Sequence, residues 1–232
     1  MSHKPPEAFP DMPMSSSAPA RPRWPVPWLS YTYMAVCIAI YALGLEAFTG
    51  LHADWINDFG LFRPDVEAGQ WWRMLSCHFL HGNMLHVSFN MFVLYSLGRN
   101  LEVHIGPWLF LWACVLGALG TAVSSMFFSP HALMVGASGV IISWAGVMIP
   151  LATRPARKEL LFWFAQIAVL SLLPGISLAG HAGGAIAGLV CGFALLQFAK
   201  GRRGWMLWVS LLMLLLCIWV ARPVVGGGVY GV

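Results

Sequence analysis

Carboxylates are the scarcest chemistry in this chain. Only nine aspartates and glutamates occur in 232 residues: Glu7, Asp11, Glu46, Asp54, Asp58, Asp65, Glu67, Glu102 and Glu159. No aspartate falls within a long apolar run, which excludes a catalyst built on two carboxyls sharing one proton inside such a run. His78-Phe79-Leu80-His81 lacks the glutamate that a zinc-hydrolase H-E-x-x-H helix needs as its general base. Cysteine is also sparse. The five cysteines are an odd number, and Cys37, Cys114, Cys191 and Cys217 fall inside apolar runs without metal-ligand spacing. They read as small buried hydrophobes, and no disulfide framework is implied.

What fills the chain instead is hydrocarbon. Hydrophobic residues make up 59% and charged residues 9%, and the mean hydropathy is +0.72, far beyond a soluble domain of this size. The net charge of +4 does not point to nucleic acid, because the basic residues sit in short clusters between apolar runs, where membrane topology accounts for them. Residues 1–28 hold eight prolines and the Ser15-Ser16-Ser17 run without an apolar core. They read as a disordered tail and lack the apolar stretch of a cleaved signal peptide.

Seven apolar segments follow, at 29–48, 83–101, 107–128, 137–153, 159–173, 176–199 and 204–221, each near the length that crosses about 30 Å of hydrocarbon. Only helices satisfy their own backbone in lipid with such segments, so the fold class is all-α: a polytopic membrane helical bundle. Residues 49–82 form one long connection, rich in aromatics and too interrupted to span, which suits the interface. With the N-terminus inside, ten Lys and Arg face inward (Lys4, Arg21, Arg23, Arg99, Arg154, Arg157, Lys158, Lys200, Arg202 and Arg203), against Arg63, Arg73 and Arg222 outside. That bias sets a cytoplasmic N-terminus, an outer 49–82 connection and a short outer tail at 222–232.

The fourth segment is short. From Ala137 to Leu151 it has 15 residues, about 22 Å of helix, so residues 129–136 are expected to dip into the membrane as non-helical backbone lined by protein or water. Gly136-Ala137-Ser138-Gly139 then places a serine in the first turn, where free N–H groups and the positive helix end stabilise a developing oxyanion. The flanking glycines leave room for a substrate backbone. The same four residues also suit plain helix packing.

A serine nucleophile needs a base. The sixth segment supplies His181, about one turn from its outer end, beside a small-residue ridge at Gly180, Gly184, Gly188 and Gly192 that permits close helix approach. If the ridge packs on the fourth segment, imidazole and hydroxyl meet at matching depth. The alternative for His181 is a packing histidine bonded to a carbonyl. His78 and His81 close the long connection just before the second segment, which opens with His86, followed by Asn90 one turn later. His86 and Asn90 share a helical face and can donate toward an oxyanion. Structural histidines, His81 foremost, and a metal site are the other readings.

These motifs together resemble the rhomboid family of intramembrane serine proteases. The resemblance covers about residues 29–199 and rests on Trp72-Arg73, His86-x-x-x-Asn90, Gly136-x-Ser138-Gly139 and His181-x-x-Gly184-x-x-x-Gly188, in family order. It implies Ser138 as nucleophile, His181 as base, and His86, Asn90 and the Ser138 N–H as oxyanion hole. It further implies Glu102 as a structural anchor, a six-helix core with 204–221 as a seventh helix, and no metal or other cofactor. The expected substrates are single-span membrane proteins, and the expected location is a bacterial inner membrane. One position departs from the pattern: Ile142 stands where many bacterial members carry a tyrosine packed on the histidine, so His181 must be supported otherwise, with Trp144 or apolar packing as candidates. A non-catalytic rhomboid-like protein, binding clients or transporting, is the alternative function.

Overall fold

The computed structural model describes residues 26–46, 50–51 and 53–222. Most of the expected tails therefore lies outside the described residues. The elements in chain order are α1 (Trp28–Leu43), the two-residue strands β1 (Leu45–Glu46) and β2 (Gly50–Leu51), and the short helices α2 (Ala53–Phe59), α3 (Arg63–Glu67) and α4 (Arg73–Ser76). A 3-10 turn at Cys77–Phe79 follows, then α5 (Met84–Ile105), α6 (Pro107–Phe128), α7 (Ser138–Leu151), α8 (Arg154–Leu170), α9 (Leu178–Ala199) and α10 (Gly204–Val220). Among the described residues the fold is helical, apart from the antiparallel pairing of β1 with β2 and one bridge between Leu61 and Met134. By length and composition α6 and α9 qualify to cross a membrane, and α1, α7 and α10 are shorter apolar helices.

Local chemistry explains where the helices begin. The first N–H groups of a helix lack intrahelical partners and carry its positive end. At α1 a distant carboxylate takes them: buried Glu102 accepts from the N–H of Leu29 (2.9 Å), the N–H of Ser30 (2.7 Å) and the Ser30 hydroxyl (2.7 Å). At α5 the Asn83 side chain accepts from the His86 N–H at 2.8 Å. At α9 the Ser177 hydroxyl accepts from the Gly180 N–H at 3.0 Å. The α5–α6 corner is made by Gly106, at φ 84°, and Pro107 at the head of the next helix.

Helix α7 is the axis of the molecule. All residues from Gly139 to Met148 are buried, and the contact of α7 with α9 is the most extensive between any two elements. Trp144, fully buried, packs on Phe110 and Tyr33 with ring centroids 5.1 and 6.1 Å away. By contrast, α8 is loosely seated, with Leu160 its one buried residue.

The non-helical stretch before α7 is held by the long connection, as its buried backbone requires. Leu61 and Met134 exchange two backbone hydrogen bonds of 2.9 Å, and the Gly136 N–H donates to the Cys77 carbonyl at 2.9 Å. Buried Arg73 staples the connection to itself, donating to the Asn57 carbonyl, the Gly60 carbonyl (2.8 Å) and Gln70 Oε1 (2.8 Å), and pairing with Asp65 at 3.1 Å. Its neighbour Trp72 is exposed.

Candidate active site

Small residues decide how close α7 and α9 come. A methyl group on Gly184 would collide with the Gly139 carbonyl oxygen, one on Gly188 with that of Ser143, and one on Gly192 with that of Val147. The glycines advance by four residues on α9 as the carbonyls advance by four on α7. The two helices therefore run in the same direction in fixed register, and their first turns lie at the same level. Gly180 and Gly183 face α6 instead, against Ser125 and Ser124.

That register brings Ser138 and His181 together. Ser138 is the first residue of α7, and His181 lies in the first turn of α9, with its N–H bonded to the Ser177 carbonyl at 3.0 Å. His181 Nε2 is 2.8 Å from Ser138 Oγ, a hydrogen-bond distance suited to proton transfer. The other ring nitrogen, Nδ1, lies 2.6 Å from Ser171 Oγ. Sequence reasoning missed Ser171: a serine closing an apolar helix reads as an ordinary cap, and nothing in the chain marks it as facing a histidine ten residues on.

The histidines at the end of the connection and the start of α5 divide by position. His86 and Asn90 converge on Gly136, two residues before Ser138. A Cβ at Gly136 would lie 2.7 Å from His86 Nε2 and 3.9 Å from Asn90 Nδ2. Asn90 is buried, and its Nδ2 has no hydrogen-bond partner, an orphan that costs stability unless something else uses it. As the first helical residue, Ser138 also presents an N–H without an intrahelical partner. These donors frame one spot beside the hydroxyl.

His81 and His78 face elsewhere. The Ala137 N–H points at His81 Nε2 over 3.5 Å, a ring nitrogen placed to accept, and the His81 ring stands edge-on to that of His86 with centroids 5.0 Å apart. Fully buried His78 directs Nδ1 to the Gly136 carbonyl (3.3 Å) and Nε2 to the Ala118 carbonyl (3.1 Å). It ties the entry of α7 to α6. Among the described residues no three histidine, cysteine or carboxylate side chains come close enough to share a metal ion.

Two expectations need correction. The flanking glycines do not leave room for a substrate: Gly136 is covered by His86, with its φ of 124° in the left-handed region, and Gly139 is covered by Thr121 of α6. Both serve close approach by the protein itself. Nor does Trp144 support His181, since its ring is packed between Phe110 and Tyr33 and beside Gly98. The side chain against Nδ1 of His181 is instead Ser171. Glu102 stands where an anchor was expected, against the start of α1.

A family model described as "Rhomboid domain" matches residues 68–198, a stretch that contains Ser138, His181, Ser171, His86 and Asn90. The chain belongs to the rhomboid family. Among curated rhomboids it is similar to "Rhomboid protease GluP" of Bacillus subtilis (strain 168), 28% identical over 200 residues that cover 82% of this chain and 39% of that protein. It is also similar to "RHOMBOID-like protein 5" of Arabidopsis thaliana, 35% identical over 147 residues, covering 59% of this chain and 48% of the relative. "RHOMBOID-like protein 2" of the same plant is 32% identical over 156 residues, with 62% and 48% covered. The chain spans between 39% and 48% of the length of these three relatives. Rhomboids are membrane-embedded, and the family includes serine proteases.

Proposed function

We propose that this rhomboid is a serine endopeptidase of the membrane interior, cleaving single-span membrane proteins near the outer face. The observation that carries the reading is the 2.8 Å contact between His181 Nε2 and Ser138 Oγ. In the resting state the hydroxyl donates to the unprotonated Nε2. As Oγ attacks the substrate carbonyl, its proton passes to Nε2 and the carbonyl oxygen becomes an oxyanion. The Ser138 N–H, the orphan Asn90 Nδ2 and His86 Nε2 are the donors for that charge. The imidazolium then returns its proton to the leaving amine, which departs and leaves an acyl ester on Ser138. Water, deprotonated by the same Nε2, hydrolyses the ester and restores both side chains.

The hydropathy of the segments and the bias of Lys and Arg between their ends support the following membrane setting. Residues 29–199 form the six-helix catalytic core, 204–221 the added seventh span, and the 1–28 tail lies in the cytoplasm, with the bilayer a bacterial inner membrane. The 14 residues of α7 reach only about 21 Å, less than the ~30 Å of hydrocarbon. Ser138 then begins below the outer surface, level with the first turn of a substrate span. Arg73, Trp72, Glu102 and the glycines at 136, 139, 184 and 188 have supporting roles.

The test is labelling of the purified protein in detergent with a fluorophosphonate probe, together with cleavage of a panel of single-span reporters. Labelling and cleavage that both vanish in Ser138→Ala support the reading. Cleavage that persists in that variant, with contaminating protease excluded, would falsify it; neither labelling nor cleavage in the parent would favour a non-catalytic client binder or transporter.

A further inference from the structure

The outer end of α8 contains a polar side chain that packing does not explain. From Arg154 to Ser171 every residue is exposed or half-exposed except Leu160 and Ser171. Ser171 is 3% exposed at the end of a helix whose last eleven residues, Leu160 to Leu170, are apolar except for Gln166. Its hydroxyl makes two short contacts, 2.6 Å to the Ile167 carbonyl and 2.6 Å to His181 Nδ1. A hydroxyl has one proton, and a carbonyl oxygen can only accept. The contact to Ile167 therefore consumes the Ser171 proton, which leaves Oγ as an acceptor toward the imidazole. The contact to His181 is a hydrogen bond only when Nδ1 bears a proton, and in the neutral ring that leaves the lone pair on Nε2, facing Ser138.

We infer that Ser171 is a positioning residue that selects the working tautomer of His181, the task an acidic side chain performs in a serine–histidine–aspartate triad. The inference rests on the reading of Ser138 and His181 as nucleophile and base. Chain geometry supports the assignment. The Ser171 N–H also donates to Ile167, at 2.8 Å, so backbone and hydroxyl are pinned to one carbonyl and the acceptor lone pairs are aimed. No carboxylate bonds either ring nitrogen of His181 among the described residues. During turnover the same lone pair receives Nδ1–H of the imidazolium, so the orienter serves both charge states of the ring.

The experiment uses the full-length protein in detergent, with histidine labelled by 15N and the His181 signal identified by its loss in His181→Gln. The parent should show a protonated Nδ1 and a pyridine-like Nε2. In Ser171→Ala the tautomers should mix, and kcat on a single-span reporter should fall about tenfold, the loss of one neutral hydrogen bond, with KM unchanged. Ser171→Thr, which keeps the hydroxyl, should restore both the tautomer and kcat. An unchanged tautomer in Ser171→Ala overturns the inference, whether or not turnover falls, because the helix end would then matter only structurally. The nitrogen signals are read without turnover, so a parent that cleaves no reporter defeats the proposed function while Ser171 is still decided.

Discussion

Gly184 of α9 lies so close to the carbonyl of Gly139 that the Cα hydrogen is the largest substituent the contact accepts. In lipid such close backbone approach is a main source of helix association, and here it also fixes the depth at which His181 meets Ser138. Gly184→Val should therefore lose stability and activity together. Displacement of α9 by about an ångström is enough to cost roughly 10²-fold in rate. Gly184→Ala, whose methyl would collide with that carbonyl oxygen, should show both losses in smaller measure than Gly184→Val. The control is Gly204→Val, where nothing lies within 4 Å; Gly201 is equally open, but its φ of 80° would strain any side chain there. Thermal unfolding in detergent and reporter cleavage are the measurements, and a Gly184→Val protein as active and heat-resistant as the parent would require another α7–α9 interface.

In the proposed mechanism the nucleophile and base act as one unit, so their losses should not add. Ser138→Ala and His181→Ala are each expected to abolish cleavage, and the double variant to fall no further. Circular dichroism should be unchanged in all three. Independent, additive losses would mean that His181 acts on something other than the Ser138 proton.

Asn90 offers a separation of function from stability. Its buried Nδ2 lacks a partner in the resting protein, a group whose burial costs about 1–3 kcal/mol. Asn90→Ala should lower kcat by on the order of 10²–10³, as removal of one oxyanion donor does, without lowering the unfolding temperature. His86→Ala should show the same kinetic loss. Full activity in Asn90→Ala would leave His86 and the Ser138 N–H as the donors.

Glu102 should behave in the opposite way. Its carboxylate takes two backbone N–H groups and one hydroxyl at the start of α1, and hydrogen bonds to charged groups contribute about 1.5–3 kcal/mol each. Glu102→Ala should lower the unfolding temperature markedly, Glu102→Gln less, since one acceptor oxygen remains. The fraction that stays folded should still take the fluorophosphonate label at Ser138, which distinguishes an anchor from a participant in the chemistry.

The sequence alone marked the long apolar helices, the shortness of the fourth one, the non-helical approach to Ser138 and the glycines at 184, 188 and 192 of α9, whereas the pairing of Ser138 with His181 is expected from the family resemblance and on the condition that the fourth and sixth segments pack together. The marked features follow from properties that run along one chain segment: hydropathy over a span length, the four-residue spacing of small side chains, the rarity of carboxylates. Only the tertiary structure decided that Thr121 and His86, not a substrate, fill the space at Gly139 and Gly136, that Trp144 faces Phe110 and Tyr33, and that Ser171 holds Nδ1 of His181. Each of those contacts joins residues on different elements, and which side chains meet across an interface depends on the rotation and register of the helices. Those are set by the sum of many close contacts, and no single segment of the sequence carries that sum.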